Sequence, residues 1–473
     1  MSKYVSGTVL LIVVLLLSGL QTEPAHAHYA QPINYSVRVA NDAWQDWKDN
    51  YVTYWRAGPN PRLRVLGGVD RYTTVSEGQA YGILLASLFD DQRVLDGLWL
   101  FTADHLSENG LMHWHIHRHG EVFGTGAATD ADIDMAIGMI TACEKVRDGI
   151  WSASTNGLDY CDIATNLITA LYNHTVDHPG VGPFAGLDDN PGYELIPGDR
   201  WNLKGEYPDG IVNLSYFSPG YFRVFAAFTG DERWYSVIER NYAIADLSQA
   251  IPGNCSGLVP NWSTYTGEPQ VVPWQPAQYE WWSYDAVRYA WRIAVDKHWF
   301  DSAEASESMN EIGGFFASVG IDEVRAEYRL DGTAINTYTN SLFVSAAAVS
   351  IWAADNPTPS DCGDATGSLQ SNAQEAYDAL AAYDTNDYFN DSWRLLTLAL
   401  MTDRFPNPLA DPPVLDVNGD GIVTPSDAKR VVESMGQTPT GDLLRADVNS
   451  NGIIDGRDVN LVIAAIGTTV QTP

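Results

Sequence analysis

Eight apolar stretches with helical periodicity recur along the chain: Tyr81 to Leu88, Met135 to Val146, Ile163 to Leu171, Tyr221 to Phe228, Val287 to Val295, Ile312 to Val319, Ser341 to Trp352 and Trp393 to Met401. No strand pattern separates successive stretches, so a doubly wound sheet is excluded and an all-α array is expected. One segment differs. His113 to Phe123 alternates, with His119-Gly120 as a turn, and reads as a hairpin. A hydrophobic content of 45% over 473 residues supplies a large core and excludes wholesale disorder. The helical region runs from about Tyr35 to Phe405 and stops at the proline-rich break Pro406 to Pro413, where a second domain is expected to begin.

The first segment carries Lys3, an apolar run from Val9 to Leu20 and the small-residue pattern Ala25-His26-Ala27, which reads as a secretory signal over residues 1–27. A retained anchor is the competing reading, and the cleavage pattern disfavours it. No later run is long enough to cross a bilayer, so a soluble exported chain is expected, with no membrane contact after cleavage. In that oxidising setting Cys143, Cys161, Cys255 and Cys362 allow three disulfide pairings. A formal net charge of -33 argues against nucleic acid as a partner, because phosphate backbones need basic surface.

Beyond Pro413 the chain repeats itself. Asp416, Asn418, Asp420, Thr424 and Asp427 place oxygen ligands at loop positions 1, 3, 5, 9 and 12, with the Ile422 carbonyl at 7 and Gly421 at 6. About thirty residues on, Asp447, Asn449, Asn451, Ile453, Asp455 and Asp458 reproduce the spacing around Gly452. Calcium takes oxygens alternating along a tight turn, and the glycine permits that turn. Two structural calcium ions are therefore expected. Each loop leads into one amphipathic helix, Asp427 to Met435 and Asp458 to Ile466, and carries Asp where calcium sensors usually carry Glu. In this form Val414 to Gly467 resembles a type I dockerin, which implies a cohesin-bearing scaffold as partner; we place that domain at 414–468, after a linker at 406–413.

Within the helical region, carboxylates sit repeatedly at helix starts. Ser76 followed by Gln79 is a capping-box pattern that would begin a helix almost at Glu77. Asp130 opens the helix through Val146, and Asp285 is expected to open the one through Val295. Ser218-Pro219 marks a fourth start, ending at Gly230 and placing Tyr216 near the others. A single acid in a first turn only complements the helix dipole. Here aromatic residues accompany the acids: Tyr81 follows Glu77, and Trp281, Trp282 and Tyr284 precede Asp285. Apolar platforms beside carboxyls suit a carbohydrate cleft, and in a helical barrel the inner N-termini converge on one rim.

Five ordered motifs carry a resemblance: SEGQAYG at Ser76, ATDADIDMA at Ala128, NLSYFSP at Asn213, GLVPNW at Gly257 and YDAVRYAWR at Tyr284. Together they resemble glycoside hydrolase family 8, inverting β-glycanases with an (α/α)6 barrel, over residues 28–405. The resemblance implies Glu77 as general acid, Asp130 as the acid that binds and distorts the central sugar, and Asp285 as the base that activates water. Tyr216 would help to hold that water, while Trp114 and Arg288 would line the sugar site; Tyr81, Asp132, Trp282 and Tyr284 complete the expected substrate contacts. Where the family has NPSY, GL-x-P-D-W and PWR, this chain has Leu214, Asn261 and Ala290, and Gly138 stands where Ala or Ser is usual.

The implied activity is an endo-β-1,4-glucanase acting on polysaccharide without a catalytic cofactor, with a β-1,4-xylanase, a mixed-linkage glucanase and a chitosanase as alternatives. A carbohydrate-binding scaffold component without catalysis is the reading from another class; retention of all three acids disfavours it. A helix N-terminus lowers a carboxyl pKa, whereas a general acid keeps its proton near neutrality. Burial or a neighbouring carboxylate must therefore outweigh the dipole at Glu77. His113, His115, His117 and His119 alternate as zinc ligands on a strand could, but without a Cys or acid partner nearby they read as a polar hairpin face.

Overall fold

The structure, a computed structural model, describes residues 30–178, 192–200, 207–384, 387–410, 415, 417, 423–437, 441–448, 453–464 and 466. The expected signal segment lies outside the described residues. The apolar stretches become members of an alternating series of helices: α1 (Val37–Tyr51), α2 (Ser76–Leu88), α3 (Gln92–Ala103), α4 (Thr129–Arg147), α5 (Tyr160–Thr175), α6 (Pro219–Thr229), α7 (Arg233–Gln249), α8 (Arg288–Phe300), α9 (Ala303–Val319), α10 (Ser341–Ala353), α11 (Ala373–Ala382) and α12 (Tyr388–Met401). Each even-numbered helix is buried over most of its length. Each packs against the next, and α12 returns to α2, closing an inner ring. The odd-numbered helices bury one face against that ring and carry the chain back. All six inner helices therefore run in parallel, and their N-termini share one rim. This is an (α/α)6 barrel.

Close packing explains two glycines. A Cβ on Gly138 of α4 would lie 3.2 Å from the Leu84 backbone of α2, so these helices approach as only glycine permits. A Cβ on Gly78 would meet the Tyr388 hydroxyl at 2.2 Å, so the first turn of α12 covers the start of α2.

The capping box expected at Ser76 does not form. Val75 occupies the N-cap without a side-chain bond. Gln79 is buried, accepting from Val65 N at 3.0 Å and donating to the Leu63 and Leu98 carbonyls at 3.2 and 2.8 Å. It satisfies the strand Arg62–Val65 instead of capping its own helix. Nor does Asp285 open a helix. It lies in an irregular turn before α8, because Trp282 pairs with Tyr328 by two backbone bonds of 2.9 and 3.0 Å and Asn261 takes the amides of Ser283 and Ala286. Ser218-Pro219 does start α6, which ends on Gly230 in a left-handed conformation.

The hairpin forms from His115–Ile116 and Val122–Gly124, with a register shift at His115. The strand ends at Ile116, and the expected single face does not form: His115 is buried, whereas His117 is half-buried, 3.3 Å from Glu121, an acid close by after all. The disulfides are Cys143–Cys161 and Cys255–Cys362. After the break, α13 (Pro425–Ser434) and α14 (Gly456–Ala464) pack together over a small core that includes Val423, Val431, Val448 and Val462.

Candidate active site

The rim where the inner helices begin surrounds a cavity of about 770 Å³ lined by Glu77, Asp285, Trp114, Tyr81, Tyr284 and Tyr388, among others. Trp114 reaches it because its carbonyl accepts from Ser76 N at 2.9 Å, tying the hairpin to the first turn of α2. Gly124 on the neighbouring strand leaves room for the indole, which a Cβ would meet at 2.2 Å. Trp114 and Tyr284 are each 37% exposed, on a surface where most large aromatics are buried. They offer apolar faces to a ligand in the cleft.

Glu77 is half-buried in the cleft wall, with Ser76 Oγ donating to its carboxylate at 3.2 Å. Burial pushes its carboxyl up from 4.5 to about 7, helped by the nearby Asp130 charge and opposed by the helix start, Arg288 and Ser76. The dipole loses, as a general acid requires. Asp285, its side chain 21% exposed, accepts from Arg288 on one oxygen at 3.1 Å and from Gln275 on the other at 2.6 Å.

Beneath this floor lies a second layer. Arg288 also donates to Asp130 at 2.5 Å, so one buried guanidinium bridges the two acids, and it stands 5.4 Å from the ring centre of Tyr216. One helical turn deeper, Arg292 and Asp134 form a second buried pair, ringed by Trp291, Tyr221 and Trp393. Their i, i+4 relation to Arg288 and Asp130 stacks the pairs along the barrel axis. Asp130, Arg288 and Tyr216 therefore stand behind the cleft wall and not on its open surface.

Arg288, expected to line the sugar site, is thus withdrawn from it, and two further expected substrate contacts are not brought to the cleft. Asp132, two residues past Asp130, turns about 200° around α4 and is fully buried, accepting from Met112 N at 3.0 Å. Trp282 is fully buried against Phe316, held there by its bridge to Tyr328. Conversely, Gln275 and Tyr388 reach the cleft without having been singled out. Tyr388 follows Asp387, which caps α12, a helix-start signal like the others; Gln275 lies in a loop with no such signal.

In the second domain, Thr424, Asp427, Asp447, Ile453, Asp455 and Asp458 are described, whereas Asp416, Asn418, Asp420, Ile422, Asn449 and Asn451 lie outside the described residues. The two loop ends match: Asp427 accepts from Thr424 N and Asp458 from Asp455 N, each at 2.8 Å, and both carboxylates are fully buried. Equivalent buried oxygens at position 12 of each loop fit a calcium ion.

A closed helical barrel with two differently placed carboxyls on an aromatic cleft defines a glycan-cleaving enzyme. The Glycosyl hydrolases family 8 profile matches residues 26–403, and the chain belongs to that family. A type I dockerin domain matches residues 414–467. The chain is 33% identical to Endoglucanase A of Acetivibrio thermocellus over 89% of its own length and 88% of that protein's. It is also 33% identical to Endoglucanase 2 of Ruminiclostridium josui, covering 85% and 80% respectively. In three dimensions it resembles a β-1,3-1,4-glucanase from Paenibacillus sp. X4, with a TM-score of 0.67 at 22% identity, covering 81% of this chain and 98% of that one. Among the described residues no helix is long and apolar enough to cross a membrane.

Proposed function

We propose that the chain is an exported endo-β-1,4-glucanase that hydrolyses with inversion, Glu77 acting as general acid and Asp285 as general base. The observation that carries this reading is the unequal setting of two carboxyls on one cleft: Glu77 pushed up to about 7 by burial, and Asp285 partly exposed with N–H donors on both oxygens. Glu77 delivers its proton to the glycosidic oxygen as the bond to the anomeric carbon breaks. Asp285 takes a proton from the water that attacks that carbon from the opposite face. Asp130 and Tyr216 act through Arg288: the first anchors the guanidinium, and the second packs against it. Trp114 and Tyr284 supply sugar platforms in the cleft.

Asp416, Asn418, Asp420, Ile422, Thr424 and Asp427 hold one calcium ion, and Asp447, Asn449, Asn451, Ile453, Asp455 and Asp458 hold the other. The module they stabilise attaches the enzyme to a cohesin-bearing scaffold outside the cell, after removal of residues 1–27. A reducing-sugar assay on carboxymethyl cellulose, xylan and chitosan tests the substrate, with carboxymethyl cellulose expected to be cleaved fastest. Proton NMR of fresh product tests the stereochemistry. The α-anomer should appear first; the β-anomer first would defeat the base assignment.

A further inference from the structure

The turn carrying Asp285 is held by two side-chain amides whose orientations follow from donors that have no alternative. The backbone amides of Ser283 and Ala286 meet Asn261 Oδ1 at 3.2 and 2.8 Å. A backbone N–H can only donate, so the opposite end of Asn261 is its NH2 group. That group donates to the Gln278 carbonyl at 3.0 Å and to Gln275 Oε1 at 3.3 Å. The Trp262 indole, equally unable to accept, donates to the same Gln275 oxygen at 3.0 Å. With its oxygen fixed twice, Gln275 must turn its NH2 toward Asp285 Oδ2, at 2.6 Å.

We infer that Gln275, locked by Asn261 and Trp262, is a positioning residue for the general base, and that the unusual Asn261 is what sets its polarity. The inference rests on the reading of Asp285 as base. Arg288 and Gln275 together fix the plane of the carboxylate, leaving its remaining lone pairs for the attacking water. Asn261 is fully buried and occupies the position where the GL-x-P-D-W motif has an acid. An aspartate there would still accept from Ser283 and Ala286. Its second oxygen, however, would face the Gln275 oxygen and the Gln278 carbonyl, acceptor against acceptor, and the amide would be driven out of its lock. Asn261 and Gln275 thus act as a pair.

The test uses the full-length enzyme on whichever of carboxymethyl cellulose and xylan the parent hydrolyses. Gln275→Leu removes the donor. Gln275→Glu keeps an oxygen for Asn261 and Trp262 but presents an acceptor to Asp285, and so decides the matter if the leucine variant fails to fold. Both, and Asn261→Asp, should lower kcat by roughly 10–100-fold, the range of one hydrogen bond to a charged group, with KM changed less than about threefold. Asp285→Asn runs alongside and should lose about 10²–10⁴-fold. If Asp285→Asn stays active, the base reading falls. If it is inactive while the Gln275→Glu and Asn261→Asp enzymes keep kcat within about twofold, or lose only through KM, the positioning role falls alone.

Discussion

Replacing Glu77 by Gln should remove activity and make the barrel more stable, but only at the pH where the parent carries a cost. The Glu77 carboxyl moves from an ordinary 4.5 to about 7 on folding, chiefly through burial. Below 4.5 both the folded and the unfolded chain hold the proton, and the substitution is nearly neutral. Between 4.5 and 7 the unfolded chain releases it while the folded one keeps it, so the parent loses stability as pH rises. Above 7 the loss is complete: a difference of about 2.5 pH units at about 1.4 kcal/mol each is about 3 kcal/mol. Gln keeps the shape of the protonated acid and never ionises. A domain of this size has an unfolding entropy of roughly 0.8 kcal/mol/K, so the gain corresponds to about 4 °C in Tm. Calorimetry of parent and Glu77→Gln at pH 4.5 and 8.5, following the catalytic-domain transition, should show near-equal Tm at the lower pH and the variant higher at the other. A difference that is independent of pH, or that favours the parent at pH 8.5, would refute the buried-acid argument.

Arg292→Leu leaves Asp134 buried without its partner and should cost about 3–5 kcal/mol by denaturant midpoint, most of it recovered in the Asp134→Leu/Arg292→Leu double variant. Chelation of calcium should abolish the transition of the module after Pro413, whose core is small, and leave the barrel transition in place; calorimetry with calcium and with a chelator reads both.

The inner helices were legible because a buried helix is apolar around much of its surface and announces itself, as Ser341–Ala353 does. Outer helices such as Val37–Tyr51 and Arg233–Gln249 are largely polar and were not singled out, since their order comes from packing on the ring. The rim acids could be read from the motifs, but their surroundings could not. Gln79 has the spacing of a cap and serves a strand, a choice made by Leu63 and Leu98 from elsewhere in the chain. Trp282 has the composition of a sugar platform and faces inward, because its neighbour Tyr328 sets the register. Gln275 gave no local signal at all; its importance exists only once Asn261, Trp262 and Asp285 are together.

The closure of the inner ring by its last member has a consequence for when the enzyme comes into being. Tyr388 lies on Gly78, next to Glu77, yet emerges from the ribosome some three hundred residues later. Until it arrives, the first turn of α2 is open to water, and the burial that holds the Glu77 proton is incomplete. A nascent or truncated chain that stops short of α12 carries Glu77 and Asp285 and still lacks the tyrosine that covers the start of α2. With Glu77 in its proposed role, competence is delayed to the end of barrel synthesis, and proteolytic loss of that one terminal helix should weaken activity without touching either proposed catalytic acid.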